Sequence, residues 1–194
     1  FYSLLEWPRR CFLGYSLSET ARVADALGSE LGVHPNDVYC PMMGEHGEHV
    51  VPILSRARVG GDAVATDDLD RDEIRKYVLD IPFDIAKERG VDETSRWVTS
   101  AGVTRVIRSV MAGSTAGGDD PRGRLGEPFC LSTPLDGEYG FEDLALSVPV
   151  DLDEGGVDEI HEWDLAAEEA DELAVAADAV RTDLERIGAK GYDG

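Results

Sequence analysis

The sequence predicts an α+β fold in which long helices pack against an antiparallel sheet. Four long segments show helical periodicity, and short apolar segments typical of strands cluster near residues 36–54 and 129–163. The two kinds of segment are segregated along the chain instead of alternating, and this arrangement is typical of α+β domains. With 194 residues, of which 42% are hydrophobic, the chain is large enough for one domain with its own core.

The first helical segment is "SETARVADALGSELG", residues 18–32. Ser18 is a suitable N-cap, because its hydroxyl can accept from a backbone N–H of the first turn. Gly32 is the expected end of the helix. The apolar positions recur at helical spacing and form one stripe: Ala21, Val23, Ala24, Leu27 and Leu31.

The central part of the chain predicts two strands followed by two helices. The strands are expected at "NDVYCPMMG" (36–44) and "EHVVPIL" (48–54), on either side of a histidine-containing loop. A helical pattern follows over residues 70–90, where Pro82 is expected to interrupt the helix because proline lacks an N–H donor. A further helix is expected over residues 92–113, and a surface loop over 115–128.

The last third predicts a hairpin-rich region and a closing helix. A strand is expected from residue 129, with a turn at Asp136 and Gly137 and a return strand. Two more strands are expected on either side of Gly155 and Gly156. The segment 164–188 is a long helix by its periodicity, and Asp164 is a suitable N-cap.

The charge balance is strongly acidic. Forty acidic residues and eighteen basic ones give a net charge of −22. Such a surface repels nucleic acid and anionic lipid headgroups, so the sequence predicts neither a nucleic-acid nor a membrane partner. The acidic residues are spread over the whole chain, and this pattern favours a protein that works in the salt-rich cytoplasm of a halophile.

We therefore expect the stability of the protein to depend on salt. Repulsion between acidic side chains destabilises the compact state at low ionic strength, whereas the Debye length falls to about 3 Å in molar salt. The melting temperature is expected to rise markedly between low salt and molar KCl. A melting curve that does not respond to KCl would remove the argument for a halophilic protein.

The three cysteines, Cys11, Cys40 and Cys130, are far apart in the sequence and form no C-x-x-C pair. This spacing argues against a disulfide framework and against a structural zinc site. It is typical of a protein of the reducing cytoplasm.

The segment "GEHGEHVVP", residues 44–52, is the strongest candidate for chemistry. His46 stands between Gly44 and Gly47, which leave room for a substrate to approach, and imidazole is the usual proton donor or acceptor near neutral pH. Such a histidine needs an acidic partner that fixes its tautomer. A metal site with His49 is weaker, because no third ligand is suitably spaced. A loop histidine without a function remains the other alternative.

Several motifs together resemble the substrate domain of NAD-dependent malate and lactate dehydrogenases. They are the loop at 44–52, "SETARV" at 18–23 and "ELGVHPNDV" at 30–38. The C-terminal segments "GEYGFEDLALSVPV" and "GGVDEIHEWDL" resemble the end of the same family, especially the malate dehydrogenases of salt-loving archaea. The resemblance covers residues 14–190, which we predict to be this domain, and residues 1–13 are then the remnant of a preceding segment.

The resemblance implies roles for individual residues. His46 matches the catalytic histidine, which accepts the hydroxyl proton of the substrate as hydride leaves for NAD. Arg22 matches the arginine that binds the substrate carboxylate, and Glu19 stands where the family has an aspartate that orients the histidine. Ser95 occupies the place of a small polar residue near the substrate, although a helix cap explains it equally well. His49 has no counterpart.

The resemblance also implies a reaction and its partners. The reaction is the reversible oxidation of malate to oxaloacetate with NAD, and a lactate dehydrogenase-type reaction on another 2-hydroxy acid is the alternative. The family's dinucleotide-binding Rossmann domain has no counterpart in these 194 residues, which contain no G-x-G-x-x-G loop. The expected partners are therefore a small dicarboxylate or 2-hydroxy acid and either a homo-oligomer or a separate dinucleotide-binding half. A non-catalytic binding or oligomerisation module is the rival interpretation, and a metal-dependent hydrolase is more remote.

Overall fold

The computed structural model describes residues 5–66, 68–92, 96–113 and 127–189, and it confirms the predicted α+β class. The helices are α1 (Leu17–Leu31), α2 (Arg71–Glu88), α3 (Arg96–Ala112) and α4 (Ala167–Ala189). The strands are β1 (Val38–Tyr39), β2 (Met42–Gly44), β3 (Val50–Pro52), β4 (Arg58–Val59), β5 (Asp62–Ala63), β6 (Phe129–Asp136), β7 (Glu142–Asp153) and β8 (Gly156–Ile160).

The main sheet has five antiparallel strands in the order β3-β2-β7-β6, and β8 pairs with the C-terminal end of β7. The hairpin β6–β7 turns at the predicted Gly137, whose φ of 114° is readily adopted only by glycine. A smaller sheet, β1-β4-β5, was not predicted. Its strands β4 and β5 have two residues each, too few for alternation to be visible in the sequence.

Among the described residues, two groups of buried apolar side chains fill the interior. The larger group lies between the main sheet and the helices α3 and α4. The smaller group joins α1 and α2 to β1 and to both strands of the β2–β3 hairpin. The predicted apolar stripe of α1 supplies Val23, Ala24 and Leu27 to this second group. Because α1 packs beside the β2–β3 hairpin, the loop that joins these two strands lies next to the first turn of the helix.

The segment 36–44 does not form the single strand that was predicted. The chain makes a 3-10 turn at Pro35–Asp37, then the two short strands β1 and β2 with Cys40 and Pro41 between them. Pro41 has no N–H for a strand ladder, and at this point the chain crosses from the small sheet to the main sheet. The second predicted strand, 48–54, is present as β3.

The predicted N-cap of α1 is wrong, although its C-terminal end at Gly32 is confirmed with a φ of 66°. The N-cap position is Ser16, and even this residue makes no capping hydrogen bond. Its hydroxyl donates instead to the Cys130 carbonyl at 2.7 Å, which ties the start of α1 to β6. Ser18 lies inside the first turn, where its hydroxyl donates to the Glu19 carboxylate.

The predicted interruption at Pro82 is also wrong, because α2 runs continuously from Arg71 to Glu88. A proline at this position cannot donate to the carbonyl of Val78, four residues earlier. In the structure that carbonyl accepts a hydrogen bond from Nη1 of Arg22 at 3.3 Å. An external donor therefore bonds to the carbonyl that Pro82 leaves free, and Pro82 itself is buried within the continuous helix.

The helix α4 begins at Ala167, three residues after the predicted cap Asp164. The buried carboxylate of Glu169 accepts from the backbone N–H of Ala166 at 3.1 Å, and so closes the first turn. The same carboxylate accepts from the backbone N–H of Ser55 at 2.9 Å and from its hydroxyl at 2.7 Å. Glu169 therefore fixes α4 to the segment that follows β3.

Replacing Glu169 with alanine is expected to destabilise the fold by about 2–4 kcal/mol, because its buried carboxylate accepts three hydrogen bonds, two from Ser55 and one from Ala166, and all three are lost. Urea denaturation in molar KCl measures the change. Glu168→Ala is the matched control, since the neighbouring carboxylate is 70% exposed and makes only a 3.8 Å contact with Arg71. Equal stability of the two variants would show that Glu169 does not hold this junction.

None of the helices in the described part of the chain is long and apolar enough to cross a membrane.

Candidate active site

Three of the predicted site residues lie on two neighbouring elements. Glu19 and Arg22 are three residues apart in α1, so their side chains lie on the same face of the helix. His46 lies in the loop between β2 and β3, whose antiparallel pairing runs from Met42 opposite Pro52 to Gly44 opposite Val50. This pairing returns the loop to α1 and brings His46 to the first turn of the helix.

The loop that carries His46 depends on Gly44. Its φ is 89°, a backbone conformation that residues other than glycine rarely adopt. A β-carbon at this position would lie 2.7 Å from the His49 carbonyl oxygen. The Glu45 carboxylate closes the loop by accepting from the His49 backbone N–H at 3.3 Å. The glycine predicted to leave room for a substrate is therefore required first by the hairpin itself.

The imidazole of His46 is paired with the carboxylate of Glu19. Nδ1 of His46 lies 2.9 Å from Oε1 of Glu19. The carboxylate is 5% exposed, whereas the imidazole is 58% exposed. Because a carboxylate accepts hydrogen bonds, the proton of the neutral ring belongs on Nδ1 and the lone pair is on Nε2. His46 is thus set up to accept a proton at Nε2.

The same pairing changes the acidity of His46. The hydrogen bond to Glu19 and the charge of that carboxylate raise the pKa of His46 above 6.5, and Glu45 adds to the effect. Partial burial and the charge of Arg22 act in the opposite direction but do not cancel it. The imidazole therefore stays protonated to a higher pH than in a free peptide.

Arg22 contacts the same carboxylate oxygen as His46. Its Nη1 is 3.7 Å from Oε1 of Glu19 and donates to the Val78 carbonyl that Pro82 leaves without an intrahelical donor. These two contacts hold one edge of the guanidinium between α1 and α2. The side chain is 23% exposed, so a small anion can still reach the group. A planar guanidinium binds a carboxylate through two parallel hydrogen bonds.

Ser18 completes the surroundings of Glu19. Its hydroxyl donates to Oε2 of Glu19 at 3.1 Å, and both residues are buried. A buried carboxylate needs such partners, because removing its charge from water is costly. The sequence predicts Ser18 as a helix cap, and nothing in its spacing indicates the contact with Glu19.

Tyr15 is a second residue near the site that the sequence does not indicate. Its hydroxyl donates to the Val98 carbonyl at 3.1 Å and so connects the start of α1 with α3. Burial, together with the negative charge of Glu19, raises the pKa of Tyr15 to about 12. A β-carbon on residue 102 would lie 2.3 Å from the Tyr15 hydroxyl oxygen. The close packing of α3 against Tyr15 therefore requires glycine at position 102. A glycine inside a predicted helix was the available signal.

The remaining predicted residues lie elsewhere. Ser95 is outside the described residues, and its role stays a prediction. His49 lines a cleft between the histidine loop and α4, together with Asp183 and Arg186. Within the described part of the chain, neither His46 nor His49 belongs to a group of three side chains placed to bind a metal.

The chain is similar to known dehydrogenases over most of its length. Residues 19–190 match the family model for the lactate/malate dehydrogenase alpha/beta C-terminal domain. The malate dehydrogenase of Halobacterium salinarum is 31% identical over 169 residues, which are 87% of this chain and 51% of that protein. The L-lactate dehydrogenase of Salinibacter ruber is 31% identical over 180 residues, 90% of this chain and 54% of that protein.

Solved structures show the same relationship. The malate dehydrogenase of Salinibacter ruber superposes with a TM-score of 0.81 at 26% identity, over 97% of this chain and 58% of that one. The malate dehydrogenase of Aeropyrum pernix shares the fold, with a TM-score of 0.79 at 23% identity. The chain spans about half the length of the curated relatives it matches.

Proposed function

Because the chain belongs to the lactate/malate dehydrogenase family, as its alpha/beta C-terminal domain, we propose that it is the substrate-binding and proton-transferring half of an NAD-dependent malate dehydrogenase. The reaction is the reversible oxidation of malate to oxaloacetate. The observation that carries the proposal is that His46 and Arg22, 24 positions apart in the sequence, meet at the Glu19 carboxylate. A proton acceptor and a carboxylate-binding group therefore stand side by side.

In this proposal His46 is the general base for malate oxidation. Its Nε2 accepts the proton of the C2 hydroxyl while the C2 hydrogen leaves as hydride, and the C–O bond becomes the carbonyl of oxaloacetate. The imidazolium that forms is stabilised by its contact with the Glu19 carboxylate. In the reverse direction the same imidazolium returns the proton to the carbonyl oxygen.

Arg22 would bind the carboxylate next to the reacting carbon. Two charge-assisted hydrogen bonds fix both the position and the plane of that carboxylate, and thereby aim the adjacent C2 at His46. Its contacts with Glu19 and with the Val78 carbonyl restrict the guanidinium before substrate arrives. Ser95 is proposed as a further polar contact of the substrate.

NAD is the proposed hydride acceptor, and its binding residues are not assigned to this chain. A dinucleotide pyrophosphate usually binds a glycine-rich loop that follows a strand and opens a helix. The glycines Gly113, Gly117 and Gly118 follow a helix and do not match that spacing. We propose that a dinucleotide-binding half holds NAD against the substrate, where it would accept the hydride, while the residues of this chain bind the substrate carboxylate and accept the hydroxyl proton.

A lactate dehydrogenase-type reaction is the second candidate, and the similarity to the Salinibacter L-lactate dehydrogenase favours it. A non-catalytic binding module is the third, favoured by the exposed apolar side chains of α3, among them Trp97 and Met111. The same side chains support a homo-oligomer or a docked dinucleotide-binding half.

The free cysteines are consistent with the cytoplasmic location that we propose.

The test is to join the chain to the first half of the Halobacterium salinarum malate dehydrogenase and to measure NADH formation from malate in molar KCl. The 194-residue chain alone is expected to give no NADH, and the fusion is expected to be active. A folded fusion that binds NAD but oxidises neither malate nor lactate would contradict the proposal. Activity of the chain alone would show that it holds a dinucleotide itself.

A further inference from the structure

The hydroxyl of Ser18 lies against the carboxylate of Glu19, on the oxygen that does not face His46. Ser18 donates to Oε2 at 3.1 Å, while Oε1 contacts Nδ1 of His46 and Nη1 of Arg22. We propose that Ser18 is a positioning residue, which holds the Glu19 carboxylate so that its other oxygen accepts the Nδ1 proton of His46. The inference rests on the proposed function for the role of His46, but the contact itself does not.

The contact between Ser18 and Glu19 is not one that a helix makes by default. Adjacent residues on a helix point about 100° apart and do not normally face each other. A serine in a first turn commonly bonds to backbone groups instead. The Glu19 side chain has to turn toward Ser18 for this bond to form, and both residues are buried, at 3% and 4% exposure.

The length of Glu19 explains why a second support is needed. A glutamate has one more rotatable bond than an aspartate, and its terminal torsion is broad. Without a partner on Oε2, the carboxylate plane could rotate about that torsion and carry Oε1 away from the imidazole. A donor on Oε2 restricts the rotation, and the hydroxyl of Ser18 supplies that donor.

The orientation of Glu19 matters because it decides which nitrogen of His46 carries the proton. If the carboxylate turned away, Nδ1 would lose its acceptor, and the neutral ring could carry its proton on Nε2. That tautomer cannot accept a proton from a substrate hydroxyl at Nε2. The charged groups that act on the ring are Glu19 and Arg22 from α1 and Glu45 from its own loop.

The test uses nitrogen NMR of the His46 imidazole in the 194-residue chain, in molar KCl. The ¹⁵N shifts distinguish the two neutral tautomers, and their pH dependence gives the pKa of His46. The natural chain is expected to show the Nδ1–H tautomer. Ser18→Ala is expected to shift the tautomer population toward Nε2–H. It is also expected to lower the pKa of His46 by at least half as much as Glu19→Gln does. Ser18→Thr keeps the hydroxyl and is expected to preserve both values.

An unchanged tautomer in Ser18→Ala would overturn the proposal, because Ser18 would then only satisfy its own hydroxyl. A rise in the pKa of His46 would also overturn it, because Ser18 would then compete with His46 for the carboxylate. If Ser18→Ala does not fold, Ser18→Thr and Ser18→Val are a pair of equal shape that differ in the hydroxyl, and they decide the question in the same way. The measurement needs no dehydrogenase activity. An inactive fusion with a normal Ser18 effect would therefore refute the proposed function alone.

Discussion

Replacing His46 with alanine in the fused enzyme is expected to lower kcat/KM for malate by about 10²–10⁴-fold, the usual contribution of a general acid or base. The loss should appear in kcat, because the imidazole acts on the proton that moves in the transition state. The fold should survive, since the side chain is 58% exposed. NADH formation from malate and a melting curve measure the two effects.

His49→Ala is the matched control for His46→Ala. It removes a histidine of the same loop, and this histidine does not contact Glu19. This control is expected to keep nearly full activity. If both variants lost activity equally, the cause would be the loop and not the imidazole. If His46→Ala retained activity, His46 would be a loop residue without a catalytic role.

Arg22→Lys is expected to act mainly on KM for malate. Lysine keeps the charge but cannot make the two parallel hydrogen bonds of a guanidinium. Losing one charge-assisted bond worth about 1.5–3 kcal/mol raises KM by roughly 10- to 150-fold. Steady-state kinetics over a range of malate concentrations measure the change. Arg58→Lys, at an exposed arginine that contacts the Gly61 carbonyl, is the control and should leave KM unchanged.

An Arg22→Lys enzyme with the KM of the natural sequence would show that Arg22 does not bind substrate. A fall in kcat alone would also contradict the assignment. It would indicate that Arg22 acts on His46 through their shared contact with Glu19.

The fold class and the main helices could be predicted because each depends on local periodicity. The apolar stripe of α1 and its end at Gly32 are visible in a single segment. The small sheet could not be predicted, because β4 and β5 are held by pairing with β1 and not by their own pattern. Pro82 shows the limit of local rules, since the helix continues through this proline. The Val78 carbonyl, which Pro82 cannot bond to, accepts instead from Arg22 of another helix.

Part of the candidate site could also be predicted from the sequence, because its reactive residues are recognisable by type and by motif. His46 and Arg22 are chemically conspicuous, and the family resemblance connected them with Glu19. The supporting contacts could not be predicted. Ser18 looked like a cap, and the contact of Tyr15 with α3 depends on a close approach at Gly102 that only the packed structure shows. Residues that react are recognised by their chemistry, whereas residues that position them are recognised by geometry.

The pH dependence of kcat/KM for malate oxidation by the fused enzyme tests the central claim most directly, since this quantity reports the ionisations of the free enzyme. His46 must be neutral to accept the hydroxyl proton, so activity is expected to rise with pH as His46 loses its proton. Because Glu19 raises the pKa of His46, the midpoint of that rise should lie above 6.5 and match the value from NMR. Glu19→Gln should move the midpoint to lower pH. A profile without this rise, or one whose midpoint stays the same in Glu19→Gln, would contradict the pairing of Glu19 and His46 as the catalytic unit.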